Sequence, residues 1–432
     1  MKQALIIAAL LLPVGSALAQ GNPLLTKYRD MALDYNHDLK VAQQNVEYTA
    51  AKEQMAHADL LPKVSASAMS RYTGKPMELN VTLPQIGNLA FEGDNMSYAA
   101  NLQVLQPVYT GGRNRLMVDI AQQERHIAEE NITVTKQSVY YQADCKYWNA
   151  VAAKEYLSIS KQMEQAMENI VEAIQQRVDV KLVNPSDLLM AEVKLNEARF
   201  ARKQAEESYT VSLMALNAFI GTNLNAQTPI DDTIPSLKPD VIAPFSGNKE
   251  WNNRAELRIA QQQVNIQQTV QRIADSYYKP QFYLGVEGSY SSPGYNFNSD
   301  FDPNYAIYAK LSVPIFEWGK RKNTQRASGL KVNMAQESLS KVTDNVKLEV
   351  ESVYSNCKQS IEQVELTRNS LTKALQNEQM ALDRYAEGNI SVLELLDARI
   401  FYQKAQVNYI RSRMNAQVYY SQLKKALGIE LD

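Results

Sequence analysis

Two periods of apolar residues alternate along this chain. Residues 24–58 and 250–277 are rich in Ala, Gln, Leu and Val and hold no Gly or Pro. Both stretches are predicted helices, closed by Pro62 and Pro280. The period then drops to two. Phe282, Leu284, Val286 and Tyr290 fall on one face, and Gln281, Tyr283, Glu287 and Ser289 on the other. Further on, Tyr305, Ile307, Ala309, Leu311, Val313 and Ile315 share a face opposite Asn304, Tyr308, Lys310 and Ser312. A weaker version sets Tyr98, Ala100, Leu102 and Val104 against Ala99, Asn101 and Gln103. The predicted strands are therefore 63–73, 97–108, 281–292 and 304–316. Strands of this length, apolar on one side and polar on the other, suit a membrane barrel with lipid outside and water inside. The same alternation also suits a half-buried hairpin of a soluble domain, which period alone favours.

A very long helix follows each strand pair. Residues 113–181 contain neither Gly nor Pro, and 320–387 hold a single Gly at 329. At 1.5 Å per residue each stretch is roughly 100 Å of helix. Turns at Asn184-Pro185 and Gly388-Asn389 lead into predicted helices 186–220 and 391–427, ended by Gly221 and Gly428. Leu188, Ala191, Leu195, Ala198, Arg202, Ala205, Tyr209, Ser212, Leu216 and Phe219 recur in steps of three and four. Leu395, Ala398, Tyr402, Ala405, Tyr409, Ser412, Ala416, Tyr419, Leu423 and Ala426 do the same. That spacing marks a narrow coiled-coil seam. Polar residues fill most other positions, so the helices suit either a single layer wetted on both surfaces or a plain antiparallel coiled coil.

The elements occur twice. Gln106-Pro107-Val108-Tyr109-Thr110-Gly111-Gly112-Arg113 is similar to Val313-Pro314-Ile315-Phe316-Glu317-Trp318-Gly319-Lys320, 207 residues later. The same offset sets Asp187-Leu188-Leu189-Met190-Ala191 on Glu394-Leu395-Leu396-Asp397-Ala398, and Gly221 on Gly428. Upstream the offset is 218, carried by Leu39 to Gln44 on Leu257 to Gln262 and by Pro62 on Pro280. The difference falls between Thr73 and Met96, where a loop tolerates a change of length. The expected division is repeat 1 at 20–221, an irregular connector at 222–248 bearing Pro229, Pro235, Pro239 and Pro244, and repeat 2 at 249–432.

Composition narrows the class. The chain has 432 residues, and 16 Gly is about half the usual share, as long helices require. Lys and Arg number 45 against 47 Asp and Glu, a near-balance that argues against nucleic acid as a partner. Lys2, the nine apolar residues Ala4 to Leu12, and Ala17-Leu18-Ala19 form an expected signal peptide, 1–19, too short to span a bilayer as a helix. No later apolar run reaches eighteen residues, so contact with a membrane core would fall to strands. Four strands cannot close a membrane barrel, and open edges are not tolerated in lipid, so several copies would have to share one sheet.

No catalytic chemistry is legible. The chain lacks a nucleophile elbow, a phosphate-cradling Gly loop and a Cys-x-x-Cys pair. His37, His57 and His126 share no metal-ligand spacing, and His126 with Glu129 reads as a solvated helix face. Cys145 and Cys357 sit on separate helices at inequivalent positions and are expected to remain thiols. Asp187, Glu394 and Asp397 lie just past the turns, where acids complement a helix N-terminus.

The two-copy layout, the two strand-ending segments quoted above, and Tyr385 to Ala398 (YAEGNISVLELLDA) together resemble the TolC family of outer-membrane efflux ducts. The resemblance covers nearly the whole chain after the leader. It implies an α+β membrane protein, mainly α, in which three subunits each give four strands to one twelve-strand barrel and their helices to a periplasmic tunnel. It implies a channel of a tripartite efflux or type I secretion system and no cofactor. Its partners would be two further copies, the lipid bilayer, a periplasmic adaptor and an inner-membrane pump of RND or ABC type. A periplasmic coiled-coil scaffold with a small soluble β domain is the alternative. At the tip, the resemblance casts Glu394 and Asp397 as an acidic ring at the closed entrance, and Asp187 and Tyr385 as closing residues. The family's tip arginine is replaced by Ile390, so Arg177 and Arg384 are the candidate lock. Gly388 keeps the adaptor-docking glycine, whereas the first copy has Lys181. Pro107, Gly112, Pro314 and Gly319 mark the strand-to-helix junctions.

Overall fold

The computed structural model describes residues 22–84, 87–245, 247, 250–294 and 299–429, so the expected leader at 1–19 lies outside the described residues. The chain divides into two compact units. One comprises 40–134 and 253–345, the other 22–39, 135–252 and 346–429 of the described chain.

The first of these units holds the sheet. Strands β1 (Lys63–Tyr72), β4 (Met96–Thr110), β5 (Gln281–Ser292) and β6 (Asp302–Ser312) pair in the order β1-β4-β5-β6, antiparallel throughout. Both outer strands therefore present an open edge. Gly285 faces Tyr308 across β5 and β6, and a Cβ there would come within 2.2 Å of the phenol ring. The Tyr308 hydroxyl accepts a 2.8 Å hydrogen bond from Gln103 Nε2. The small residue lets the ring lie flat over the sheet and reach a second strand.

Three expectations about strands need correction. The stretch read as a loop between Thr73 and Met96 contains a hairpin, β2 (Glu78–Leu83) with β3 (Gly87–Glu92). Leu79, Val81 and Leu83 alternate with Glu78, Asn80 and Thr82 there, a strand signal hidden by the flanking Pro76 and Pro84. Pro107 does not end its strand but sits inside β4, where the register shifts between Pro107 and Tyr109. A bulge is one of the few places in a sheet that accepts a residue without an N–H. Finally, β6 ends at Ser312, short of the predicted 316, because Pro314 cannot continue the ladder.

The other unit is helical. The first predicted helix is broken at Asn36 into α1 (Pro23–Tyr35) and α2 (His37–Ala58), the latter passing into the sheet-bearing unit after Leu39. Asn36 leaves the helical region, and its Oδ1 accepts from the Leu39 amide at 2.9 Å, so a capping side chain makes the break. Helices α3 (Arg113–Asp179) and α4 (Pro185–Phe219) precede the connector, and α5 (Ala255–Ser276) follows it in the sheet-bearing unit. Helices α6 (Lys320–Ala386) and α7 (Val392–Leu427) complete the chain. Part of the three-and-four seam is buried, including Ala191, Leu195, Ala198 and Leu216 on α4 and Leu395, Ala398, Ala405, Ala416 and Leu423 on α7, and its other positions, such as Leu188, Tyr209 and Tyr402, are half-buried. Among the described residues no helix is long and apolar enough to cross a membrane.

Side chains tie the connector to this unit. The Tyr28 hydroxyl donates to the Pro229 carbonyl at 2.6 Å, and Gln417 Nε2 to that of Pro235 at 2.8 Å. Arg413 donates to the Ile234 carbonyl and to Glu155, each at 2.7 Å, and Glu155 accepts in turn from the Ile234 amide at 2.9 Å. Burial raises the Glu155 carboxyl above its usual range against the pull of Arg413. Nearby, Arg29 grips the buried Asp144 with two bonds of 2.7 and 2.8 Å.

Candidate functional site: the helix tips

The tips are two helix-turn-helix corners built to one plan. Helix α6 ends with the Asn389 amide donating to the Arg384 carbonyl at 2.8 Å and the Gly388 amide to that of Tyr385 at 3.0 Å. Helix α3 ends identically: Leu182 donates to Arg177 and Lys181 to Val178, both at 2.9 Å. Both are Schellman caps, which need a left-handed residue just past the helix cap, here two places after the last helical residue. Gly388 fills that place at φ 80° without strain, and Lys181 fills it at φ 64° against the steric preference of an L-residue. The departure seen at Lys181 is thus a change of residue on an unchanged backbone.

The outgoing helices are capped by side chains. Asn184 Oδ1 accepts from the Ser186 amide at 3.0 Å ahead of Pro185 in the first turn of α4. Ser391 and Glu394 form a capping box on α7, with Ser391 Oγ accepting from the Glu394 amide and the Glu394 carboxylate from the Ser391 amide, both at 3.3 Å. The Ser-x-x-Glu spacing is the sequence signal that could have located this cap. Glu394 therefore holds its own helix start as well as standing, exposed, one turn before the exposed Asp397. Asp187 is half-buried in the first turn of α4.

Of the two candidate lock arginines, the structure engages one. Arg177 reaches from α3 to the end of α6 and donates to the carbonyls of Tyr385 (3.1 Å) and Ala386 (3.2 Å). Its guanidinium lies 4.5 Å from the centroid of the Tyr385 ring. These carbonyls belong to the last turn of α6, where a cation also meets the negative end of the helix dipole. Arg384 is exposed and has no ion-pair partner among the described residues. Tyr385 is buried in an apolar cluster with Ile170, Ile174, Leu195, Val392 and Leu395, against which Ile390 packs half-buried. Its hydroxyl has no hydrogen-bond partner among the described residues. Burial raises the phenol above its ordinary value, Arg177 opposes that, and the carboxylate of Asp187 adds to it. Arg177 and Tyr385 are thus in contact, with Asp187 near enough to be felt.

At the strand-to-helix junctions Gly112 (φ 89°) and Gly319 (φ 78°) take left-handed conformations and open α3 and α6. The residues before them do the same: Gly111 at φ 68° and Trp318 at φ 46°. A Cβ on Gly111 would lie 2.4 Å from the Ser276 carbonyl oxygen, so this position is closed to side chains. Pro314 lies just past the end of β6.

Chemistry of other kinds finds little footing. His126 Nδ1 lies 3.1 Å from Glu129, which also accepts from Arg125, an exposed ion-pair cluster on one helix face. No group of three metal-ligating side chains occurs among the described residues. Cys145 and Cys357 are thiols.

The outer membrane efflux protein family matches this chain over residues 28–222 and 248–429. The toluene efflux pump outer membrane protein TtgF of Pseudomonas putida is 22% identical over 416 residues, covering 94% of this chain and 83% of that protein. The outer membrane protein TolC of Escherichia coli is 20% identical over 428 residues, 96% of this chain and 83% of that one. The solved outer membrane channel CmeC of Campylobacter jejuni superposes with a TM-score of 0.76 at 19% identity, covering 94% of this chain and 86% of that one.

Proposed function

Because the chain belongs to the outer membrane efflux protein family, we propose that three copies form one exit duct, closed by the helix tips until a partner opens it. It is an outer-membrane protein with the channel fold of its structural neighbours, and its family comprises channels, not enzymes. The observation that carries the sharing of one barrel between copies is the sheet itself, and the number three rests on the family resemblance. The sheet has four strands, open edges at β1 and β6, and exposed Tyr305, Ile307 and Leu311 alternating along β6. In lipid such edges must be paired, and sharing strands between copies pairs them. Twelve strands from three copies lie within the range of closed membrane barrels.

Within this duct the leader 1–19 directs export, and 20–221 and 249–432 act as two copies of one unit joined at 222–248. The α3–α4 and α6–α7 pairs form the tunnel wall in a single layer. The Arg177–Tyr385 contact holds the tips closed, with Arg384 contributing surface charge only. Asp187, Glu394 and Asp397 place carboxylates around the entrance, where they attract cations. The corners at Lys181 and Gly388 receive the periplasmic adaptor, and an inner-membrane pump of RND or ABC type supplies the energy. Relatives named as pump components, such as TtgF, support the partnership. Detergent-extracted protein is expected to migrate as a heat-modifiable trimer and to conduct in planar bilayers. A monomer that dissolves without detergent and conducts nothing would leave the coiled-coil scaffold as the better account.

A further inference from the structure

The helices that leave the sheet begin against their own dipole. A helix N-terminus carries partial positive charge and favours acids. Neither α3 nor α6 has an acid in its first turn. Arg113 and Arg115 open α3, Lys320, Arg321 and Lys322 open α6, and Arg326 follows one turn after Lys322. The protein itself engages three of these. Arg113 lies 5.4 Å from the Tyr277 ring centroid and Arg321 5.4 Å from that of Tyr278, while Lys320 Nζ is 4.0 Å from Glu317. Arg115, Lys322 and Arg326 are exposed and have no ion-pair partner among the described residues.

A second irregularity adjoins them. Trp318 holds φ 46°, a backbone region that L-residues rarely adopt, where the first copy has Gly111. Its indole is 90% exposed, so packing within the chain does not account for it. It meets the exposed Phe316 ring edge-on at 5.0 Å, beside the exposed Ile315. An aromatic pair held outward just past a strand that carries Tyr305, Ile307 and Leu311 along one face, with cations lacking an ion-pair partner on the helix that follows, has the chemistry of a lipid headgroup boundary.

We propose that these two strand-to-helix junctions bind anionic phospholipid in the periplasmic leaflet of the outer membrane. Trp318 and Phe316 sit at the headgroup level, and Arg115, Lys322 and Arg326 meet the phosphodiesters. The proposal rests on the strands spanning the outer membrane. Three observations favour lipid over a protein partner: charge complementarity, continuity with the apolar strand face, and cations displayed where the helix alone disfavours them.

The test uses the full-length protein in nanodiscs of phosphatidylethanolamine and phosphatidylglycerol, with lipids retained after detergent extraction measured by mass spectrometry. Trimer migration and conductance are checked first, so failure of the channel reading shows itself before any lipid ratio is read. Each surface cation is worth about fivefold at low salt. Phosphatidylglycerol should therefore be enriched at least severalfold at low salt, and less at high salt as screening grows. The triple variant Arg115→Gln/Lys322→Gln/Arg326→Gln should conduct but lose the enrichment. Enrichment that persists in that variant, or is absent from the wild type, overturns the proposal. If the variant fails to assemble, the wild-type salt series still decides, since a salt-insensitive ratio also overturns it. Brominated phospholipid should quench tryptophan emission, and Trp318→Phe should remove most of the quenchable part. Absence of quenching places the indole against a neighbouring chain and overturns the interfacial assignment.

Discussion

Truncating Arg177 should unlatch the tips. Its guanidinium supplies two charged hydrogen bonds to the carbonyls of Tyr385 and Ala386, plus the contact over the Tyr385 ring. Bonds to a charged donor contribute about 1.5–3 kcal/mol each when buried, and a cation over an aromatic face about 0.5–1 kcal/mol at exposed sites. The low end of that sum is about 3.5 kcal/mol, and because Arg177 is only half-buried, solvent screening reduces it further, to about 2 kcal/mol per subunit. Two kcal/mol corresponds to roughly a thirtyfold shift in an open–closed equilibrium. Every copy in a trimer loses the contact, so single-channel recording in planar bilayers should show the open–closed equilibrium of Arg177→Ala shifted toward open by at least about thirtyfold relative to the wild type. Arg177→Lys should fall between them, because an ammonium keeps the charge but lacks the planar fork that spans two carbonyls. The main-chain bond from Leu182 to the Arg177 carbonyl survives either change, so the corner itself should stay folded. Equal open times for Arg177→Ala and wild type, with trimers intact, would refute the latch.

Three further outcomes are expected. Glu394→Ala with Asp397→Ala should weaken block by multivalent cations and reduce cation preference in the same recordings, and an unchanged sensitivity would sink the acidic ring. Lys181→Gly should relieve the left-handed strain at φ 64°, slowing hydrogen exchange of the 180–184 turn by a factor consistent with about 1 kcal/mol, whereas faster exchange would show the lysine to be unstrained. Burial pushes the Cys357 thiol up to about 11, and burial foremost raises Cys145. The reactive thiolate is therefore scarce at pH 8. Iodoacetamide should label folded protein slowly, faster as pH climbs toward 11, and should find two thiols per chain after denaturation; finding none would indicate a disulfide.

What could be read from the chain depended on how locally it was encoded. Helices α3 and α6 were visible because 67 residues pass without a Pro and with at most one Gly. The break at Asn36 was not, since Asn is tolerated in helices and only its bond to the Leu39 amide shows it acting as a cap. The β2–β3 hairpin was masked by Pro and Gly at its borders, although Leu79, Val81 and Leu83 keep the strand period. Pro107 misled for a similar reason: the rule that Pro ends a strand fails at a bulge. At the tip, Arg177 could be proposed from its 207-residue relation to Arg384, but nothing local distinguishes the two. Only the packing of α3 against the end of α6 puts carbonyl acceptors within reach of Arg177. Trp318 stands in the sequence as one more member of the junction motif, and only its backbone angle shows that it shares the left-handed conformation of Gly319.

The shared wall is tested most directly by counting chains. Native mass spectrometry of protein extracted from outer membranes in mild detergent should give a mass of three chains, falling to one only on heating or harsh denaturation. A single chain that stays folded and in solution after the detergent is removed would contradict it, because a four-stranded sheet with two open edges cannot then be lying in lipid.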